Sequence, residues 1–81
     1  MKYKIEFKPC ATKDLRSVNR NDAQRVLEKI RAMENDLAGN VKHLTDFEPQ
    51  YRLRVGDYRV LFDIENEHLI IYRIKHRREA Y

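Results

Sequence analysis

Tyr51-Arg52-Leu53-Arg54-Val55-Gly56-Asp57-Tyr58-Arg59-Val60-Leu61-Phe62 decides the fold. Apolar residues alternate with arginines on both sides of Gly56-Asp57. That pattern reads as two strands, joined by a two-residue loop with glycine first, as a type II′ hairpin turn requires. With Gly56-Asp57 as the whole loop, Val55 faces Tyr58 and Arg54 faces Arg59. Side chains alternate along a strand, so Arg52 shares their face. Like charges directly opposite one another cost some tenths of a kcal/mol, and a chain selected for folding alone would carry Glu or Thr there. An anion seated between the guanidiniums explains the choice, because arginine stays charged and grips a phosphate with two donors.

The period of two continues downstream, with strands expected over 51–55, 58–64 and 69–75 and a second turn at Asn66-Glu67. On that register Val60 pairs with Arg73, Phe62 with Ile71 and Ile64 with Leu69. Tyr51, Leu53, Val55, Tyr58, Val60, Phe62, Ile64, Leu69 and Ile71 then form an apolar face for helices to cover. Arg52, Arg54, Arg59, Leu61, Ile70, Tyr72, Ile74 and His76 form the opposite face, continued by Arg77, Arg78 and Tyr81. A slip of one residue moves Arg73 and Lys75 onto this face in place of His76.

Upstream, Tyr3, Ile5 and Phe7 alternate with charged residues as a half-buried strand does. Pro9 suits the first turn of a helix over 9–18. Asn21, with Gln24 three residues on, reads as a capping box. Val26, Leu27, Ile30, Met33 and Leu37 recur at helical spacing for 16–18 residues, until Gly39-Asn40. Residues 40–50 read as a connector, with Leu44 and Phe47 tucked in. The expected architecture is α+β: an antiparallel sheet with an N-terminal helical hairpin on one face, in the order β-α-α-β-β-β.

The chain has 81 residues, enough for one domain, and a domain of this size buries only about 60% of its unfolded surface. Hydrophobic residues make up 42% and charged residues 37%, which excludes a disordered chain. No apolar run is long enough to span a membrane, and no signal peptide is expected of the alternating N-terminus. A lone cysteine, Cys10, permits no internal disulfide and points to a reducing, cytoplasmic setting. The net charge of +4 is concentrated, since Arg73, Lys75, Arg77 and Arg78 lie in a stretch with no acid. An anionic partner follows from that clustering. His43, His68 and Cys10 read as ordinary surface or packing residues. There is no glycine-rich phosphate loop, Ser-His-Asp order or zinc spacing.

The hairpin from Tyr51 to Phe62 and the terminal run Lys75-His76-Arg77-Arg78-Glu79-Ala80-Tyr81 resemble the RelE/ParE superfamily of toxins from toxin–antitoxin systems. The resemblance covers nearly the whole chain. It implies a twisted antiparallel sheet with two helices on one side. It also implies a ribosome-dependent endoribonuclease that cuts mRNA in the A site without metal or other cofactor. In that chemistry the 2′-hydroxyl attacks the adjacent phosphate. By position, Arg59 would stabilise charge on the scissile phosphate and Arg77 would contact phosphate or protonate the leaving oxygen. Tyr81 would stack on the base, and His76 is a candidate acid or base. Arg52, Arg54, Lys75 and Arg78 would bind phosphates. The implied partners are a cognate acidic antitoxin, the ribosome and mRNA, with operator DNA reached only through the antitoxin complex and no membrane. Two other functions stay open on the same fold: a ParE-like inhibitor of DNA gyrase, and a degenerate toxin that only binds antitoxin and DNA.

Overall fold

The computed structural model describes residues 3–34, 40–44 and 49–78. Seven elements follow in order: β1 (Lys4–Phe7), α1 (Pro9–Ser17), α2 (Arg20–Ala32), β2 (Asn40–His43), β3 (Tyr51–Val55), β4 (Tyr58–Glu65) and β5 (His68–His76). The five strands form one mixed sheet in the order β1-β5-β4-β3-β2, with β1 parallel to β5 and every other pair antiparallel.

Pro9 opens α1 with its φ already set for a helix, and Val18 closes it in extended backbone. The following residue caps α2: the Asn19 side chain accepts a hydrogen bond from the Asp22 amide at 2.9 Å and donates one to the Asp22 carboxylate at 2.8 Å. The expected cap, Asn21, instead lies inside the first turn of α2. Both asparagines have a polar residue three positions on, and the one with an acid there caps, as the positive helix N-terminus favours. The helix has 13 residues, not 16–18, and ends at Ala32, followed by Met33. The stop expected at Gly39 lies outside the described residues, as do Leu37 and Phe47.

α1 packs on β1 and β5, and α2 reaches β3. Between the helices and the sheet lies the core: Ala11, Val26, Ile30, Met33, Leu53, Val55, Val60, Phe62, Leu69, Ile71 and Ile74. Tyr51 stacks on Phe62 at 5.5 Å between ring centroids and extends this core toward β2. The apolar side of the hairpin therefore faces the helices, as its alternation requires.

Three features depart from the expectation. Residues 40–43 are a strand, because they pair with β3 from Asn40 opposite Arg54 to His43 opposite Tyr51. The sheet is mixed, because β1 pairs with β5 in parallel from Lys4 opposite His68 to Phe7 opposite Ile71. The register between β4 and β5 shifts between Leu61 and Phe62. On the turn side of that bulge Val60 pairs with Ile74, Arg59 with Lys75 and Tyr58 with His76; on the other side Phe62 pairs with Ile71 and Ile64 with Leu69. The extra residue, Tyr72, absorbs the shift, as a bulge lets two residues oppose one.

Candidate nucleic-acid interface

The hairpin turn determines what the open face of the sheet carries. Gly56 has φ 56°, the left-handed conformation that an L side chain takes only at a cost. The two-residue loop closes Val55 against Tyr58, so the next pair is Arg54 against Arg59. This is the non-hydrogen-bonded pair of the ladder, where Cα atoms approach to about 4.5 Å and side chains lie closest. Lys75 faces Arg59 from the other side, on β5. Arg54, Arg59 and Lys75 thus form a row of three cations across three strands. The parallel row is Lys42, Arg52, Leu61 and Arg73.

Arg59, Arg52 and Arg73 sit in three different settings. Arg59 Nη1 donates to the carbonyls of Tyr58 at 3.3 Å and Gly56 at 3.5 Å, so its guanidinium curls over the turn. The Nε of Arg52 is buried with no hydrogen-bond partner. Leu61, flanked by Arg52 and Arg73, is only 8% exposed on a face that carries no helix; the methylene stems of long cationic side chains commonly cover such a residue.

Arg73 has a different task. Parallel pairing with β1 stops at Ile71, which leaves the outer edge of β5 open beyond it. Asp14 of α1 closes this edge: its carboxylate accepts hydrogen bonds from Arg73 Nε at 2.7 Å, Arg73 Nη2 at 3.1 Å and the Ile74 amide at 3.1 Å. Burial acts to raise the Asp14 pKa and is the largest single influence. The hydrogen bonds from Arg73 and Ile74, with the charges of Arg73 and Lys75, together outweigh it and hold the carboxyl below its ordinary 3.8.

The basic tail returns to the turn. The Arg77 amide donates to the Asp57 carbonyl at 2.7 Å, and its guanidinium lies 3.7 Å from the Asp57 carboxylate. This backbone bond anchors Arg77 beside the turn, at the end of the sheet where Arg54 and Arg59 meet. The Arg78 amide donates to His76 Nδ1 at 3.2 Å.

His76 does not join the cationic face. The bulge turns it to the helix side, where its ring meets Tyr58 edge-on at 5.1 Å. Ile74 likewise moves into the core, and Lys75 stands opposite Arg59, where the expected register put Ile74. Together Asp14, Ser17, Val18, Tyr58, Ile74, His76 and Arg78 line a cleft of about 440 Å³ on that side. Tyr81 lies outside the described residues.

Sequence reading missed Lys42, because the strand that carries it has a single apolar residue, Val41, and shows no alternation. It also missed Asp14 and Asp57, whose partners lie far along the chain. Among the described residues no group of three His, Cys, Asp or Glu side chains is placed to hold a metal, and no helix is long and apolar enough to cross a membrane.

Residues 5–81 match the family model of the ParE toxin of type II toxin–antitoxin systems. The chain belongs to that family. Toxin RelE3 of Methanocaldococcus jannaschii is 29% identical over 83 residues, covering 96% of this chain and 94% of that protein. The RelB–RelE antitoxin–toxin complex from Methanococcus jannaschii contains a chain that superposes with a TM-score of 0.77 at 26% identity, over 90% of this chain and 91% of that one. The archaeal RelE–RelB complex from Pyrococcus horikoshii OT3 gives a TM-score of 0.81 at 26% identity, over 99% of this chain and 100% of that one. The protein is thus a toxin of the RelE/ParE superfamily, and its two helices and five-stranded mixed sheet are the fold of those relatives.

Proposed function

We propose that this toxin is a ribosome-dependent mRNA endoribonuclease, neutralised by a cognate acidic antitoxin. One observation carries the reading: Arg54 and Arg59 face each other directly across the ladder, with Lys75 in the same row. This arrangement costs folding energy and is suited to one scissile phosphate. In the proposed reaction the 2′-hydroxyl oxygen of the message attacks the adjacent phosphorus as its proton leaves. The bond from phosphorus to the 5′ oxygen of the next nucleotide breaks, and that oxygen takes up a proton. A 2′,3′-cyclic phosphate and a 5′-hydroxyl result.

Negative charge grows on the phosphate oxygens in the transition state, and guanidiniums close to it stabilise that charge. Arg59 and Arg54 take this role. Arg77, anchored beside the turn, contacts the phosphate or protonates the leaving oxygen, and Arg52 and Arg78 bind flanking phosphates. Guanidiniums hold their protons too tightly to act as the base. Tyr81, assigned by the terminal motif alone, stacks on the base and is the candidate to activate the hydroxyl. His76 packs against Tyr58 away from the cationic row, so it contributes to holding the tail and not to proton transfer.

The toxins of the M. jannaschii and P. horikoshii complexes are bound to RelB antitoxins, which supports an antitoxin partner for this chain. The family model is named for ParE, and that name keeps gyrase inhibition as the second reading. Primer extension on a message translated in a reconstituted system separates the two. Cleavage within the translated codons is expected, lost in Arg59→Ala and Arg77→Ala. No cleavage, together with inhibition of gyrase supercoiling by the same protein, would assign the second reading.

A further inference from the structure

The cationic surface does not end with the hairpin. β2, an outer strand of the sheet, places Lys42 directly opposite Arg52. From β2 across β3 and β4 to β5 the cations Lys42, Arg52, Arg54, Arg59 and Lys75 cover three inter-strand spacings, about 14 Å. Along the strands carboxylates enter. Away from the turn the same face carries Asp63 opposite Ile70 and Glu65 opposite His68 on β4, with Glu6 opposite Ile70 and Lys4 opposite His68 on β1. The Glu6 carboxylate lies 2.8 Å from His68 Nδ1, and Asp63 accepts a hydrogen bond from the Gln50 amide at 2.6 Å. A polyanion laid along β4 would meet Asp63 two residues past Leu61 and Glu65 two residues further. One laid across them meets cations on four consecutive strands.

We propose that the RNA backbone crosses the strands from β2 to β5, and that Lys42 binds a phosphate outside the scissile linkage. This deepens the reading of the same face as an mRNA site and rests on it. Lys42 is a binding residue, since Arg54 and Arg59 lie between it and Lys75 and hold the reacting phosphate. A lysine there is a point charge on a flexible stem, suited to a backbone contact without base selection.

The test uses the full chain and ribosomes carrying a message whose cleaved nucleotide has a methylated 2′-hydroxyl, so that binding is measured without reaction. Each phosphate contact contributes about 0.7 to the slope of log affinity against log salt for a single strand. Lys42→Gln is expected to lower that slope by about one contact, and on an unmodified message to raise KM several-fold with kcat retained. Lys29→Gln, on the exposed side of α2, serves as the control and leaves the slope unchanged. If Arg54→Gln and Arg59→Gln lower the slope and Lys42→Gln does not, the message does not reach β2. The inference is then overturned while the nuclease reading stands. An equal loss for Lys42→Gln on ribosomes without message assigns the residue to ribosomal RNA and also overturns it. If none of the three variants changes slope or cleavage, the reading of this face as the mRNA site falls and the inference with it.

Discussion

At the scale of single residues, the hairpin sets folding against the function proposed for it. Arg54 and Arg59 repel each other across the ladder. Arg54→Thr is therefore expected to raise the urea midpoint at unchanged m-value, by some tenths of a kcal/mol. The same variant should lose cleavage by about two to three orders of magnitude, the usual cost of removing one preorganised donor. A variant both less stable and less active would assign Arg54 to the fold instead. Arg52 extends the argument: its buried, unpartnered Nε carries a desolvation cost, and the cost is tolerable at a site that binds an anion. The sequence reading reached this cluster because one glycine specifies the turn, and the turn specifies the pairs that follow.

Beyond the single residue, the elements show where local reading stops. The turn is local and was legible. Gly56→Ala should cost about 1–2 kcal/mol, the penalty of a left-handed L residue. The nearest atom to an added Cβ, Arg25 Nη1, lies 3.8 Å away, so the loss comes from backbone strain and not from a clash. The bulge was not legible. Tyr72 resembles its neighbours in type, and only the packing of Ile74 into the core selects the shifted register. His76 was placed on the wrong face for this reason. Asp14 belongs to the same scale, joining α1 to the open edge of β5. Its pKa is lower in the folded chain than in the unfolded one, so its stabilisation is present above about 3.8 and is lost as pH falls through the folded value. Asp14→Asn should lower stability at neutral pH by on the order of 1–2 kcal/mol and flatten that acid-side dependence. Urea denaturation at a series of pH values checks both; parallel curves for the two proteins would show that the Arg73 pair contributes nothing.

Over the whole molecule, charge and topology decide how the parts serve together. The net charge of +4 says little by itself; its placement does more. One end of the open face is cationic and the other is mixed, with Asp63, Glu65 and Glu6 beside Lys4, an arrangement visible only once five strands are in order. Sequence alternation assigned the two sides of β3 and β4 correctly, and those of β5 only as far as Ile71. It could not show β2, a short polar outer strand, or the parallel union of β1 with β5, whose partners are separated by most of the chain.

That union bears on how the protein is made. β1 emerges first and has no partner until residues 68–71 exist, and β5, flanked by β1 and β4, comes last of the five strands. Contacts this distant in sequence are late and slow to form. A fragment ending at residue 66 should show no cooperative thermal transition by circular dichroism; a sigmoidal melt would contradict this. Lys75 and Arg77 follow β1 to β4 along the chain, so the cationic row across the sheet is complete only once β5 has joined it. The surface proposed to hold a message therefore appears only with the last strand of the sheet, and a chain halted before β5 lacks it.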